Sequence, residues 1–152
     1  MQSFKYLIEE FGSHLNIHDL ASDEDGYVGL TIDSQDIHLQ YDHETDDIVA
    51  FTRLGVLGPD NLAGVCLMLL AANQFWQGTA GATFSVEPTS KKIFLADRKA
   101  LGLVNVQSLN DWLERLLNIS LYWVKRLHAS QLSANRQAQA PDVSPFLISH
   151  IK

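Results

Sequence analysis

The sequence predicts an α+β domain, a mostly antiparallel twisted sheet with flanking helices, in the order helix, three strands, helix, two strands, helix. Three observations predict it. Apolar residues recur at helical spacing in three segments, near the start, the middle and the end of the chain. The two stretches between them alternate apolar and polar residues and are broken by short polar turns. The length, 152 residues of which 46% are apolar, supports one substantial core without requiring a second domain.

Phe4, Leu7, Ile8, Phe11 and Leu15 lie at helical spacing with Lys5, Glu9 and Glu10 between them, so the chain opens on an amphipathic helix with Ser3 as a candidate cap. Asp23-Glu24-Asp25-Gly26 makes a turn, after which Val28, Leu30 and Ile32 alternate with Gly29 and Thr31 as a strand. Asp33-Ser34-Gln35-Asp36 turns the chain into Ile37, Leu39 and Tyr41, which alternate with His38, Gln40 and Asp42; this is an antiparallel hairpin with one wet face. A further polar turn, His43 to Asp47, leads into a third strand, Ile48 to Leu54.

Gly58-Pro59-Asp60-Asn61 has the chemistry of a helix start: Pro sits where a missing N–H is harmless, and Asp or Asn can accept the free ones. The helix that follows, Leu62 to about Trp76, is apolar nearly all round and therefore needs cover on two sides, which a second subunit would supply. Gly78 is expected to end it in a left-handed conformation, and Gly81 to free the path into the next strand. Thr83 to Val86 and Lys92 to Leu95 read as two strands joined by the loop Glu87 to Lys91, with Pro88 marking the turn. Leu109, Trp112, Leu113, Leu116, Leu117, Ser120, Trp123, Val124 and Leu127 then form a wide apolar band on a long helix, with Ser108 or Asn110 as cap. The domain is expected over residues 1–132 and a tail, docked or mobile, over 133–152.

The charge restricts the partners. With 18 acidic and 11 basic residues the formal charge is -7, which disfavours nucleic acid and anionic membrane, since both call for a basic surface. Cys66 is the only cysteine and lies in an apolar run, so no intrachain disulfide forms and a buried structural thiol is expected. The first residues carry Glu9 and Glu10 through their apolar pattern, unlike a secretory signal, and the longest apolar run, near Leu62 to Ala72, is too short to insert across a membrane. A cytoplasmic protein is the expectation.

Chemistry-bearing residues give no constellation. Asp23-Glu24-Asp25-Gly26 runs straight into a strand, where a calcium loop would continue with alternating ligands; His38 and His43 straddle a strand end without a cysteine to complete a zinc set. No Gly-x-Ser-x-Gly elbow is present, and the carboxylates fall in turns. Gly78-Thr79-Ala80-Gly81 suggests a phosphate loop, but such loops run from strand to helix, whereas here a helix precedes and a strand follows, so an anion would meet helix carbonyls. No catalytic residue, metal or cofactor is expected.

The segment LLAANQFWQGTAGATFSVEPTSKKIFLADRKAL, Leu69 to Leu101, resembles the central motif of class I type III secretion chaperones, the Tir chaperone-like family. Ala72-Asn73-Gln74-Phe75 stands where that family ends a helix, Gly78 to Thr83 where it turns, and Ile93-Phe94-Leu95 in its second hairpin strand. The element order extends the resemblance to roughly Ser3 to Leu127. It implies a small acidic cytosolic homodimer that uses no ATP, binds the N-terminal segment of a secreted effector in extended form and keeps it competent for secretion. It places the dimer interface at Leu62, Val65, Leu69, Phe75, Phe84 and Val86, and the client groove among Phe4, Leu7, Ile8, Phe11, Val28, Leu30, Ile32, Ile37, Leu39 and Val49. The alternative within the same fold is a regulatory protein that sequesters an anti-activator and couples secretion to transcription.

Overall fold

The structure, a computed structural model, describes residues 1–138, with side chains through Ser130. Its elements are α1 (Gln2–His14), β1 (Tyr27–Ile32), β2 (Gln35–Asp42), β3 (Asp47–Val56), α2 (Leu62–Asn73), β4 (Thr83–Val86), β5 (Lys92–Ala100) and α3 (Val106–Ala138). The expected order is the observed one. All strand pairs are antiparallel, and the sheet runs β1-β2-β3-β5-β4, so β1 and β4 are its two edges.

Register follows from the alternation. Leu30 pairs with Ile37, Leu39 with Ala50, Thr52 with Leu95, and Leu95 in turn with Phe84, which places one row of side chains on the face the helices cover. Val28, Leu30, Ile37, Leu39, Tyr41, Ile48, Ala50, Leu54, Ile93, Leu95 and Phe84 are all buried there. Against them lie Phe4, Leu7, Ile8 and Phe11 of α1, and Leu109, Trp112, Leu113, Leu116, Leu117, Trp123 and Leu127 of α3. Each such side chain contributes about 1.5–3 kcal/mol by leaving water. Thr52 is the one polar member of this row; its hydroxyl donates to the Asp36 carbonyl at 2.7 Å and accepts from Gln35 Nε2 at 2.6 Å.

Local details differ from expectation for physical reasons. The β1–β2 turn is two residues, Asp33 and Ser34, both at positive φ (49° and 67°); such a turn matches the twist of paired strands better than four residues would. α1 begins at Gln2 with Met1 at the cap and no side-chain cap bond, so Ser3 lies inside the helix. Likewise Asn61 precedes α2 without a side-chain cap bond, after a short 3-10 turn, Pro59–Asn61. Asn105, rather than Ser108 or Asn110, opens α3: its side chain accepts the Ser108 N–H while the Ser108 hydroxyl accepts the Asn105 N–H, a reciprocal capping box. α3 continues to Ala138, past the expected boundary at 132, because no proline or glycine interrupts Ser133 to Ala138. The rest of the expected tail, 139–152, lies outside the described residues.

Candidate functional site

Acidic residues that drew attention in the sequence hold turns. Asp23 accepts the Asp25 and Tyr27 N–H groups, and Asp42 accepts that of Glu44, which holds the Asp42 carboxyl below its ordinary value. Among the described residues no three His, Cys, Asp or Glu side chains converge, and no helix is long and apolar enough to cross a membrane. Two surfaces are the candidate sites.

The first surface is built on α2. Val65, Leu69 and Ala72 face the core, while Leu67 and Leu70 point outward with 69% and 65% of their surface exposed, beside a partly exposed Leu62. Cys66, expected to be buried, is only half-buried. The helix stops at Asn73 because that side chain turns onto β4: Asn73 Oδ1 accepts the Phe84 N–H at 2.8 Å and Nδ2 donates to the Phe84 carbonyl at 3.1 Å. Phe75 and Trp76 then take left-handed backbone, φ 53° and 54°, and stand 76% and 55% exposed. This corrects the role expected of Gly78, which has no positive φ; a Cβ there would meet Ala72 at 2.9 Å, so close approach of two backbones is what requires glycine. Gly81 does take a positive φ, 103°. Between α2 and β4 lies an apolar cavity of about 250 Å³, lined by Cys66, Leu69, Leu70, Asn73, Phe84, Ser85 and Val86.

The second surface is the β1 edge with the helix-free face of the sheet. β1 pairs only with β2; on its outer side Asp23 takes both main-chain groups of Tyr27, donating its N–H to the carbonyl and accepting the N–H on its carboxylate, and the groups of Gly29 and Thr31 face the unpaired edge. Across the adjoining face runs an aromatic row, one side chain from each of four strands. Tyr27 stacks on His38 (5.8 Å), His38 on Phe51 (5.0 Å), and Phe51 meets Phe94 edge-on (6.4 Å). Tyr27 Oη lies 2.7 Å from His38 Nδ1, fixing the row at its β1 end.

The sequence-derived sets divide sharply between these surfaces and the core. Of the interface set, Leu62 and Phe75 are exposed and Val86 half-buried, while Val65, Leu69 and Phe84 are buried within the chain itself. Of the groove set, Phe4, Leu7, Ile8, Phe11, Val28, Leu30, Ile37 and Leu39 are core; Ile32 and Val49 keep partial exposure. The reason is the pleat, which sends one alternation of each strand to the helices and leaves the other on the open face. Leu67, Leu70, Trp76 and the aromatic row escaped the sequence reading. One signal for the first three was available: no Asp, Glu, Lys or Arg occurs from Asn61 to Val86.

Residues 6–123 match the sequence model of the Tir chaperone protein (CesT) family. No curated protein matches at a significant level. Solved structures with the same fold include the ExsC–ExsE complex (TM-score 0.70, 21% identity, 82% of this chain and 92% of that one). Others are the type III secretion chaperone SycH of Yersinia pestis with a fragment of YscM2 (0.64, 22%, 78% and 98%) and the HopA1–SchA chaperone–effector complex (0.64, 19%, 81% and 91%).

Proposed function

We propose a function from one premise: the chain belongs to the Tir chaperone protein (CesT) family, on the match of residues 6–123. It is a cytosolic type III secretion chaperone that holds the N-terminal segment of a secreted effector extended, and it acts by binding rather than catalysis. Supporting this reading, its fold neighbours include chaperones solved with the polypeptides they bind.

The open β1 edge suits an extended client. A segment laid beside β1 gains main-chain hydrogen bonds whatever its sequence, and its alternate side chains select the site through apolar contacts. On this reading Val49 and the row Tyr27, His38, Phe51 and Phe94 meet the client from the open face, and Ile32, which shares the helix-covered face with Val28 and Leu30, meets it only at the end of the β1 edge. Phe4, Leu7, Ile8, Phe11, Val28, Leu30, Ile37 and Leu39 act indirectly, by fixing the sheet from behind. Holding a segment extended keeps it from burying its own apolar groups, so no nucleotide-driven unfolding step is needed. The exposed face of α2 is covered by a second copy, making the working unit a homodimer.

Affinity capture from the native cytosol tests the function. A secreted protein held through an N-terminal segment that gives narrow, unfolded-like NMR dispersion in the complex is the expected result. Retention of a transcriptional anti-activator instead would move the assignment to the regulatory alternative, and retention of a natively folded client would contradict both.

A further inference from the structure

We infer that the open face of the sheet carries a carboxylate-reading pocket beside the aromatic row, in which Arg53 and Lys92 hold an Asp or Glu side chain of the client. This rests on the chaperone reading above and adds to it the chemistry by which one client is preferred to another.

The pocket is an open cavity of about 460 Å³ at one end of the sheet, and its lining includes Asp36, His38, Arg53, Gly55, Lys92 and Phe94. Strand pairing brings these residues together. Arg53 pairs with Phe94, and a bulge between Arg53 and Gly55 sets Val56 opposite Lys92; bulges re-aim side chains at strand ends in this way. A Cβ on Gly55 would meet nothing within 4 Å, so glycine there leaves space inside the cavity. Gln35 Nε2 donates to the Arg53 carbonyl at 2.9 Å, which fixes the backbone that carries the guanidinium. Both cations are available. Lys92 is half-buried and Arg53 exposed, and among the described residues neither forms an ion pair. Asp36, the carboxylate in the lining, accepts the Thr31 hydroxyl at 2.8 Å. By contrast Arg98, nearer the other end of β5, is already paired with Asp47 at 3.2 Å. An ammonium partly withdrawn from water without a counter-ion gives an arriving carboxylate more than a fully solvated partner would.

Charge and position together identify the occupant as a client carboxylate. The chain as a whole, at formal charge -7, repels an acidic polymer, whereas this cavity sets two cations against one carboxylate. A nucleic acid would carry its charge onto the acidic remainder of the surface; a single acidic side chain on an otherwise uncharged segment does not. His38 and Phe94 belong both to the aromatic row and to the cavity lining, so a segment lying on the row passes the cavity mouth. From β1 to β5 the row crosses three strand spacings, about 14 Å, or roughly four extended residues. A client that leaves the β1 edge and crosses the face therefore brings an Asp or Glu to Arg53 and Lys92 about four residues beyond the side chain at Tyr27. The row supplies apolar contact, and the pocket supplies the charge that selects.

Binding of the captured client's N-terminal segment, made as a fluorescein-labelled peptide, to the full chain tests the pocket. One Asp or Glu of the segment is expected to cost at least about tenfold in affinity when changed to its amide, and Arg53→Gln with Lys92→Gln should cost about the same. In that double variant the amide change should have no further effect, as a shared contact requires. A segment with Lys at the same position should bind Arg53→Glu/Lys92→Glu more tightly than it binds wild type. Arg115→Gln, on the exposed outer side of α3, should move the affinity by less than about twofold. A double variant with wild-type affinity and an unchanged far-ultraviolet circular dichroism spectrum overturns the pocket and leaves the chaperone reading standing. If the double variant does not fold, amide-substituted segments that all bind wild type equally overturn the pocket on their own. Displacement of the segment by inorganic phosphate at fixed ionic strength, with every amide change silent, assigns the cavity to a free anion and overturns it too. A full chain that captures no secreted protein overturns the chaperone reading and the pocket together.

Discussion

α2 and α3 both lie against the sheet and both are rich in leucine, yet only α3 is finished within the chain. Its inward stripe, Leu109 to Leu127, is backed by Asp111, Glu114, Arg115, Asn118 and Lys125 on the outer side. The outer side of α2 carries Leu67 and Leu70 instead. An amphipathic helix records what its own chain buries; a helix apolar on both sides records cover that arrives from outside. The proposed dimer follows from that difference.

The comparison can be broken most severely at the finished helix. Trp112 is buried, and its indole N–H donates to Asp97 at 2.7 Å while Lys99 sits over the ring. Trp112→Ala should cost about 3–5 kcal/mol of folding stability, read from the urea midpoint at constant slope, with loss of secondary structure tracking loss of the dimer. At the unfinished helix the same size of perturbation should separate the two properties. Leu70→Glu is expected to raise the dimer dissociation constant on the order of a hundredfold, about 3 kcal/mol, while the monomer stays folded. Asn118→Glu on the outer side of α3 is the control and should change either quantity by less than about 0.5 kcal/mol.

A smaller effect is expected where α2 is tied to β4. Asn73→Ala leaves the Phe84 N–H and carbonyl without their partner and should destabilise the fold by about 1–3 kcal/mol, with faster amide exchange at Phe84 as its local signature. The smallest effect is a pH dependence of the β4–β5 turn. The Glu87 carboxylate accepts from the Ser90 hydroxyl and the Ser90 and Thr89 N–H groups, which holds its pKa down to about 2 from the ordinary 4.5. A carboxyl whose folded pKa is depressed favours folding fully above its unfolded value and loses that contribution as pH falls through the folded one. The turn should therefore be intact above pH 4.5 and loosen progressively toward pH 2, and Glu87→Gln should flatten that profile when Ser90 amide exchange is followed.

The sequence made the order of elements legible because each is announced by its own period: Phe4 to Leu15 and Leu109 to Leu127 by helical spacing, Val28 to Leu54 by alternation. It also made the need for outside cover legible, through the all-apolar α2. What it could not carry was facing. Val65 and Leu67 are two residues apart and equally apolar, yet one is core and the other is exposed, because the axial rotation of α2 is set by Asn73 gripping Phe84 across the fold. The left-handed pair Phe75–Trp76 was equally hidden, since a glycine three residues on offered a simpler helix stop. The residues expected for the client groove fall mostly on the core face for the same reason: alternation identifies two faces of a strand without marking the second, where the half-exposed Tyr27, His38, Phe51 and Phe94 lie.

Hydrogen–deuterium exchange on the purified chain, with and without the client captured from the cytosol, tests the central claim most directly, because it reads both surfaces at once. The account predicts that α2 amides are protected in the client-free dimer and stay so in the complex, whereas the edge-facing β1 amides of Gly29 and Thr31 gain protection only when the client is bound. An α2 that exchanges freely until the client binds, with β1 unchanged by it, would contradict the account.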